Sequence, residues 1–113
     1  MIKVYQIQLT NAEIATINRG ESTPRTKAYF DRSFDSMFKT ENFQYYDHAA
    51  TVHGTDDMEA AFRAMNLWED DHEYPANGIE VEKMGPCSSM SVGDILEVNG
   101  NLFRCASFGF DAI

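Results

Sequence analysis

An α+β fold is predicted for this 113-residue chain: a compact single domain with a small, mostly antiparallel sheet, a C-terminal β-hairpin and two or three helices. Three observations predict it. Strand-like alternation occurs near both ends, helical spacing of apolar residues occurs between them, and an Asn-Gly pair separates two apolar runs near the C-terminus. Size scaling allows a chain of this length to bury roughly two thirds of its unfolded surface. The 43% hydrophobic content, with eight Phe, five Tyr and six Met, supplies the core. No linker, repeat or low-complexity tract divides residues 1–113.

The first strand is expected over Ile2 to Leu9, with Ile2, Val4 and, less strongly, Gln6 on one face and Tyr5, Ile7 and Leu9 on the other with Lys3. Thr10 or Asn11 is placed to cap a short helix through Glu13, Ile14 and Ile17 that Gly20 ends. Ser22-Thr23-Pro24 reads as a connector, because proline biases the residue before it away from helix. Over residues 26–40 the set Phe30, Phe34, Met37, Phe38 has helical spacing and predicts an apolar helical face, with Asp31, Arg32, Asp35 and Lys39 turned to solvent. Tyr45 to Val52 is the second strand, with both faces covered where Ala49 and Ala50 blur the alternation.

Met58, Ala61, Phe62 and Met65 mark the clearest helix, running to Asn66 and capped by Thr55 or Asp56. Asp56, Asp57 and Glu59 lie at its start, where carboxylates complement the helix dipole. After Trp68 the run Glu69-Asp70-Asp71-His72-Glu73, followed by Pro75 and Gly78, reads as a loop. Ile79 to Glu82 alternates as a strand. Asp94 to Val98 and Leu102 to Ser107 flank Asn99-Gly100, whose tolerance of positive φ predicts a type I′ hairpin.

Eighteen acids against nine bases give a net charge of −9, and the imbalance belongs to one half. Residues 1–50 carry six of each sign, whereas residues 51–113 carry twelve acids and three bases. Such a surface repels phosphate backbones, so direct nucleic-acid binding is disfavoured and basic proteins are the natural partners. The first residues show no signal-peptide pattern and no stretch has the roughly 18–20 apolar residues of a membrane span, so a cytoplasmic protein is expected. Cys87 and Cys105 match no CxxC arrangement and are read as packed thiols.

Chemistry-bearing constellations are weak. His48, His53 and His72 with Asp56, Asp57 and Asp71 match no zinc spacing, and His48 and His53 are an odd number apart, which puts them on opposite faces of a regular strand. Ser88, Ser89 and Ser91 have no neighbouring histidine, and no GxGxxG or GxxxxGK cradles a phosphate. No catalytic set, metal or cofactor is expected.

Met90-Ser91-Val92-Gly93-Asp94-Ile95-Leu96-Glu97-Val98-Asn99-Gly100, followed by Leu102-Phe103-Arg104-Cys105-Ala106-Ser107-Phe108-Gly109-Phe110, resembles the YodL-like family of small bacterial, plasmid, integrated-element and phage proteins or domains. Met58 to Asn66 resembles the helix that precedes this motif in the family. The resemblance covers about half the chain. It implies a compact α+β module carried among accessory genes, with no settled activity. Gly93 and Asp94 are then expected to shape a turn and the Phe108 and Phe110 rings to close the core, with Ser89, Met90, Ser91 and Asp94 as a possible recognition turn.

These features predict a small acidic accessory protein of a phage or mobile element that binds and modulates or inhibits a basic host protein. Trp68 and Tyr74 would anchor the contact while Glu69, Asp70, Asp71 and Glu73 engage basic side chains. Two alternatives are a non-catalytic structural or regulatory domain acting through the 89–94 turn, and a DNA-mimic inhibitor of a nucleic-acid-binding protein. The plain alternative for the acids is a solvated surface that maintains solubility. Periodicity does not decide the oligomeric state. Joint neutralisation of Glu69, Asp70, Asp71 and Glu73 is expected to abolish affinity capture of a partner; capture that survives it but fails on alanine substitution of Ser89 to Ser91 assigns recognition to the turn instead.

Overall fold

The computed structural model describes residues 1–67 and 78–113. Six strands form one sheet: β1 (Ile2–Gln6), β2 (Asp47–His53), β3 (Glu80–Lys83), β4 (Ile95–Val98), β5 (Asn101–Cys105) and β6 (Phe110–Ala112). Their spatial order is β3-β2-β1-β4-β5-β6, and every neighbouring pair is antiparallel. Three α-helices, α1 (Asn11–Asn18), α2 (Pro24–Asp31) and α3 (Met58–Leu67), and a 3₁₀ segment (Thr40–Tyr45) complete the described residues. None of these helices is long and apolar enough to cross a membrane.

Strand alternation sets the core. Ile2, Val4, Ala50, Val52, Leu96 and Val98 share one face and pack against Ala61 and Met65 of α3. The opposite face is covered at its centre: Ile95 is fully buried there, and the Tyr5 ring meets Phe43 edge-on with 5.0 Å between centroids. Ala49 to Val52 are therefore buried on both sides, as the blurred alternation predicts. The hairpin forms as predicted, with Asn99 at φ 52°, Gly100 at φ 82° and Val98 opposite Asn101.

Local capping explains the helix starts. Thr10 Oγ1 accepts the Glu13 amide at 3.1 Å while Glu13 Oε1 accepts the Thr10 amide at 2.9 Å, a reciprocal box. Thr23 and Thr26 make the equivalent exchange, and Pro24 occupies the first helical position. Thr23-Pro24 thus starts a helix instead of connecting two elements. For α3 the cap is Asp57, one residue later than expected: its Oδ1 accepts the Glu59 amide at 3.0 Å and its carbonyl accepts the Ala61 amide.

The largest departure is at residues 32–40. A single helix over 26–40 is not formed; α2 stops at Asp31 and separate turns follow, closed by Phe34 N–H to Asp31 C=O and Met37 N–H to Phe34 C=O. The Arg32 carbonyl is taken by Arg104 Nη2 at 2.6 Å, so it accepts a side chain from the sheet in place of a helical amide. Phe30, Phe34 and Met37 are exposed as a result, Phe34 by 57%, whereas Asp31, expected in solvent, is buried and paired with Lys27 at 2.6 Å. Near the start of β2, Tyr45 lies in the 3₁₀ segment and the strand begins at Asp47.

A β-bulge overturns the histidine argument. Val4 pairs with Ala50 but Tyr5 pairs with His48, so Ala49 is an extra residue. His48 consequently reaches Thr51 Oγ1 through Nε2 at 2.9 Å, on the face where alternation also puts His53. His53 Nε2 lies 2.8 Å from Glu82 Oε1. His72 and Asp71 lie outside the described residues. Among the described residues no three His, Cys, Asp or Glu side chains gather as a metal-binding group.

Gly93 is packed directly against backbone. At φ +97° it sits against the Arg32 backbone, where an added Cβ would be 2.3 Å from the carbonyl oxygen. Gly93→Ala is expected to destabilise by about 3 kcal/mol or more, combining positive-φ strain with a backbone clash. Thermal unfolding should show Tm lower by roughly 10–20 °C.

Candidate functional site

The turn that precedes β4 is built on a buried polar node. Asp94 is 2% exposed, and its Oδ2 accepts the Ser91 amide at 3.0 Å and Gln6 Nε2 at 2.9 Å. Gln6 also donates to the Ser88 carbonyl at 3.0 Å and accepts the Ser88 amide at 3.1 Å. One glutamine on the inner face of β1 therefore holds both ends of segment 88–94. Beyond the turn, Gly93 N–H donates to the Cys105 carbonyl at 2.7 Å, Cys105 N–H returns to the Asp94 carbonyl at 2.8 Å, and Tyr46 Oη donates to the Gly93 carbonyl. Burial pushes the Asp94 carboxyl up to about 6, against the opposing pull of Gln6, the Ser91 amide and Arg32.

This node sets one wall of a cleft of about 420 Å³. The second wall is α3, through Phe62 and Glu59, and the third is the β5–β6 hairpin, through Cys105, Ala106 and Phe110. Met90 is buried and forms part of the core, whereas Ser91 is exposed and Val92 half-buried along the wall. The lining is mainly apolar, and among the described residues Glu59 is its carboxylate. Ser107 and Gly109 also border the cleft, and Phe108 between them is 94% exposed. Phe110 packs against the core as expected, but Phe108 does not close it. The reversal at residues 106–109, with Gly109 at φ 73° and Ala106 N–H bonded to the Gly109 carbonyl at 2.9 Å, projects Phe108 into solvent.

Of the exposed acids nearby, Glu59 lines the cleft, Asp56 is paired with the Met1 ammonium at 2.5 Å, and Asp111, opposite Arg104 in the β5–β6 ladder, lies on the other face of the sheet. Arg63, four residues after Glu59 on α3, is exposed as well. Arg104, one of three bases in residues 51–113, is 3% exposed and turned to the other face of the sheet, where Nη1 meets Asp35 Oδ1 at 2.5 Å. That pairing, first through the hydrogen bond, holds the Asp35 carboxyl below its ordinary value. Sequence reasoning missed the burial of Arg104; the available signal was its inward register opposite Ile95 in the predicted hairpin.

Among the described residues, nothing in the cleft is activated as a nucleophile. The Cys105 thiol is pushed up to about 11 by burial and then by the nearby Asp94 charge, so it stays protonated near neutrality. Cys87 and Cys105 are both free thiols. Ser88 Oγ bonds Gln8 and Gln6 instead of a histidine. A second cleft of similar volume contains Arg25, but Arg25 is engaged by Glu13 at 2.5 Å, Asp47 at 2.6 Å and the carbonyls of Gln8 and Tyr45. It works as a staple joining α1, α2 and β2.

The sequence-predicted contact residues Trp68, Glu69, Asp70, Asp71, Glu73 and Tyr74 lie outside the described residues. Of the predicted recognition turn, Met90 and Asp94 are buried structural members, while Ser89 and Ser91 are exposed. No protein-family model, curated protein or solved structure matches the chain.

Because folding raises the Asp94 pKa, the folded state favours its protonated form: the stabilisation is complete below the ordinary carboxylate range and lost as pH rises through about 6. A shift of this size corresponds to about 3 kcal/mol. Chemical denaturation should therefore show the protein gaining stability between pH 7.5 and 5, and Asp94→Asn, whose amide oxygen can still accept from Ser91 and Gln6, should flatten that rise.

Proposed function

We propose that this chain is a non-catalytic binding protein that holds a basic, partly apolar segment of another protein in the cleft between α3 and the β5–β6 hairpin. The observation that carries the reading is the coincidence of three features at one place. Apolar walls from Phe62, Met90 and Phe110 supply burial, Phe108 stands fully exposed at the hairpin tip, and Glu59 gives the lining a negative charge. Exposed aromatic side chains beside apolar clefts supply much of the affinity at protein interfaces. Surrounding acids accelerate encounter with a basic partner and repel acidic ones.

Of the two surfaces considered from sequence, the reading keeps the 89–94 turn and replaces the Glu69 to Glu73 run with Glu59 of α3. Ser91 and Val92 contribute a wall, so the 89–94 turn shapes the cleft, and Glu59 favours a basic partner. Glu69 to Glu73 follow α3 in the chain and are not needed for the argument. The YodL-like resemblance adds a mobile-element setting, in which the partner is a host protein and binding modulates or inhibits it. A DNA mimic requires acids at duplex-like spacing, a condition that this cleft does not use.

Selection of a random peptide library on the full chain tests the proposal. Enriched peptides should combine Lys or Arg with aliphatic or aromatic residues, and Phe108→Ser should weaken them roughly 30-fold, the factor that corresponds to ~2 kcal/mol. Glu59→Lys should weaken them further and reduce the salt dependence. Absence of enrichment, or binding indifferent to both substitutions, overturns the reading.

A further inference from the structure

The hairpin beside the cleft has a second property. Ile113 N–H bonds the Leu102 carbonyl at 3.0 Å and Ala106 N–H bonds the Gly109 carbonyl at 2.9 Å, which fixes the phase of the β5–β6 ladder. In an antiparallel pair the hydrogen-bonded positions alternate, so the Arg104/Asp111 pair faces inward between these two. Phe110 and Ala112 occupy the intervening positions, and their backbone N–H and C=O groups point away from β5. Strand β6 ends the sheet order among the described residues. Its outward edge adjoins the cleft that the Phe110 side chain lines.

From this juxtaposition we infer that the partner binds as an extended strand, adding to the sheet along β6 and placing alternate apolar side chains in the cleft. The inference rests on the function proposed above and names the conformation and pattern of the occupant. Main-chain bonds to Phe110 and Ala112 supply register, and the period-two alternation puts every second side chain on the face of Phe110, toward the cleft. The intervening side chains lie on the face of Asp111, where Lys or Arg meets a carboxylate across the strand pair. A partner of alternating apolar and basic residues therefore satisfies both faces.

Charge also decides between this occupant and a second copy of the chain. Two β6 strands paired antiparallel about a two-fold axis over Phe110–Ala112 would put Asp111 directly opposite Asp111, and each copy carries a net charge of −9. Like charges in direct opposition disfavour that pairing. A basic strand reverses the sign of the same contact.

The test uses the full chain and a probe peptide alternating Val with Lys and Arg, Lys-Val-Arg-Val-Lys-Val-Arg. Binding should slow hydrogen exchange at the Phe110 and Ala112 amides about tenfold or more. Ala112→Pro deletes an outward amide without touching the β5 ladder, and should weaken the probe about tenfold while Tm stays within a few degrees. A probe N-methylated on the amides that would face β6 should lose the same factor on the unaltered chain, which keeps the test valid if the proline variant unfolds. Unchanged affinity of the N-methylated probe, or no added protection at Phe110 and Ala112, overturns strand addition. If library-selected peptides bind the cleft but this probe does not at about millimolar concentration, strand addition fails and the binding function stands. If neither binds, both fail.

Discussion

The buried Asp94 carboxylate is the interaction on which the cleft depends. A carboxylate withdrawn from water is costly, and this one is held by the Gln6 side-chain amide and the Ser91 backbone amide. Those bonds tie the centre of the sheet to the segment entering β4. Gln6 completes the node by binding the Ser88 backbone in both directions. The turn between them is therefore rigid, and its exposed side can serve as the wall of a binding surface.

A second clamp works on the opposite face of the sheet. Arg104 reaches Asp35 and the Arg32 carbonyl, and Gly93 lies so close to that carbonyl that no larger residue fits without displacement. The end of α2, the turns after it and the entry to β4 are consequently one packed unit. The same clamp accounts for the exposure of Phe34 and Met37, since the chain leaves helical geometry where Arg32 turns to the sheet.

Between these constraints the β5–β6 hairpin projects with few obligations of its own. Phe108 is spent on neither core nor turn geometry, and Phe110 divides its side chain and backbone between the core, the cleft and an open edge. An apolar floor bordered by Glu59, with Asp111 on the reverse face of the hairpin, gives this end of the molecule a preference for basic, amphipathic chains. The charge-balanced N-terminal half contributes staples such as Arg25, whose guanidinium is consumed by two carboxylates and two carbonyls.

Residues that interact with near neighbours were legible in the sequence. The cap at Thr10, read as Thr10 or Asn11, the apolar face of α3, the inward set Ile2, Val4 and Gln6, and the Asn99-Gly100 hairpin each follow from spacing or dihedral preference over a few positions. The acidic bias of residues 51–113 was equally plain, as was the absence of a familiar catalytic spacing. Other features depend on partners distant in the chain. Arg104 ends the 26–40 helical pattern from 72 residues away, and the bulge at Ala49, visible only in pairing with β1, brings His48 and His53 to one face. The cleft joins α3, the 90–92 turn and the hairpin, and β6 becomes an edge only through its ladder with β5. Local preference determined the elements, while long-range hydrogen bonds and packing decided where they stop, which faces they share and where a surface is left open.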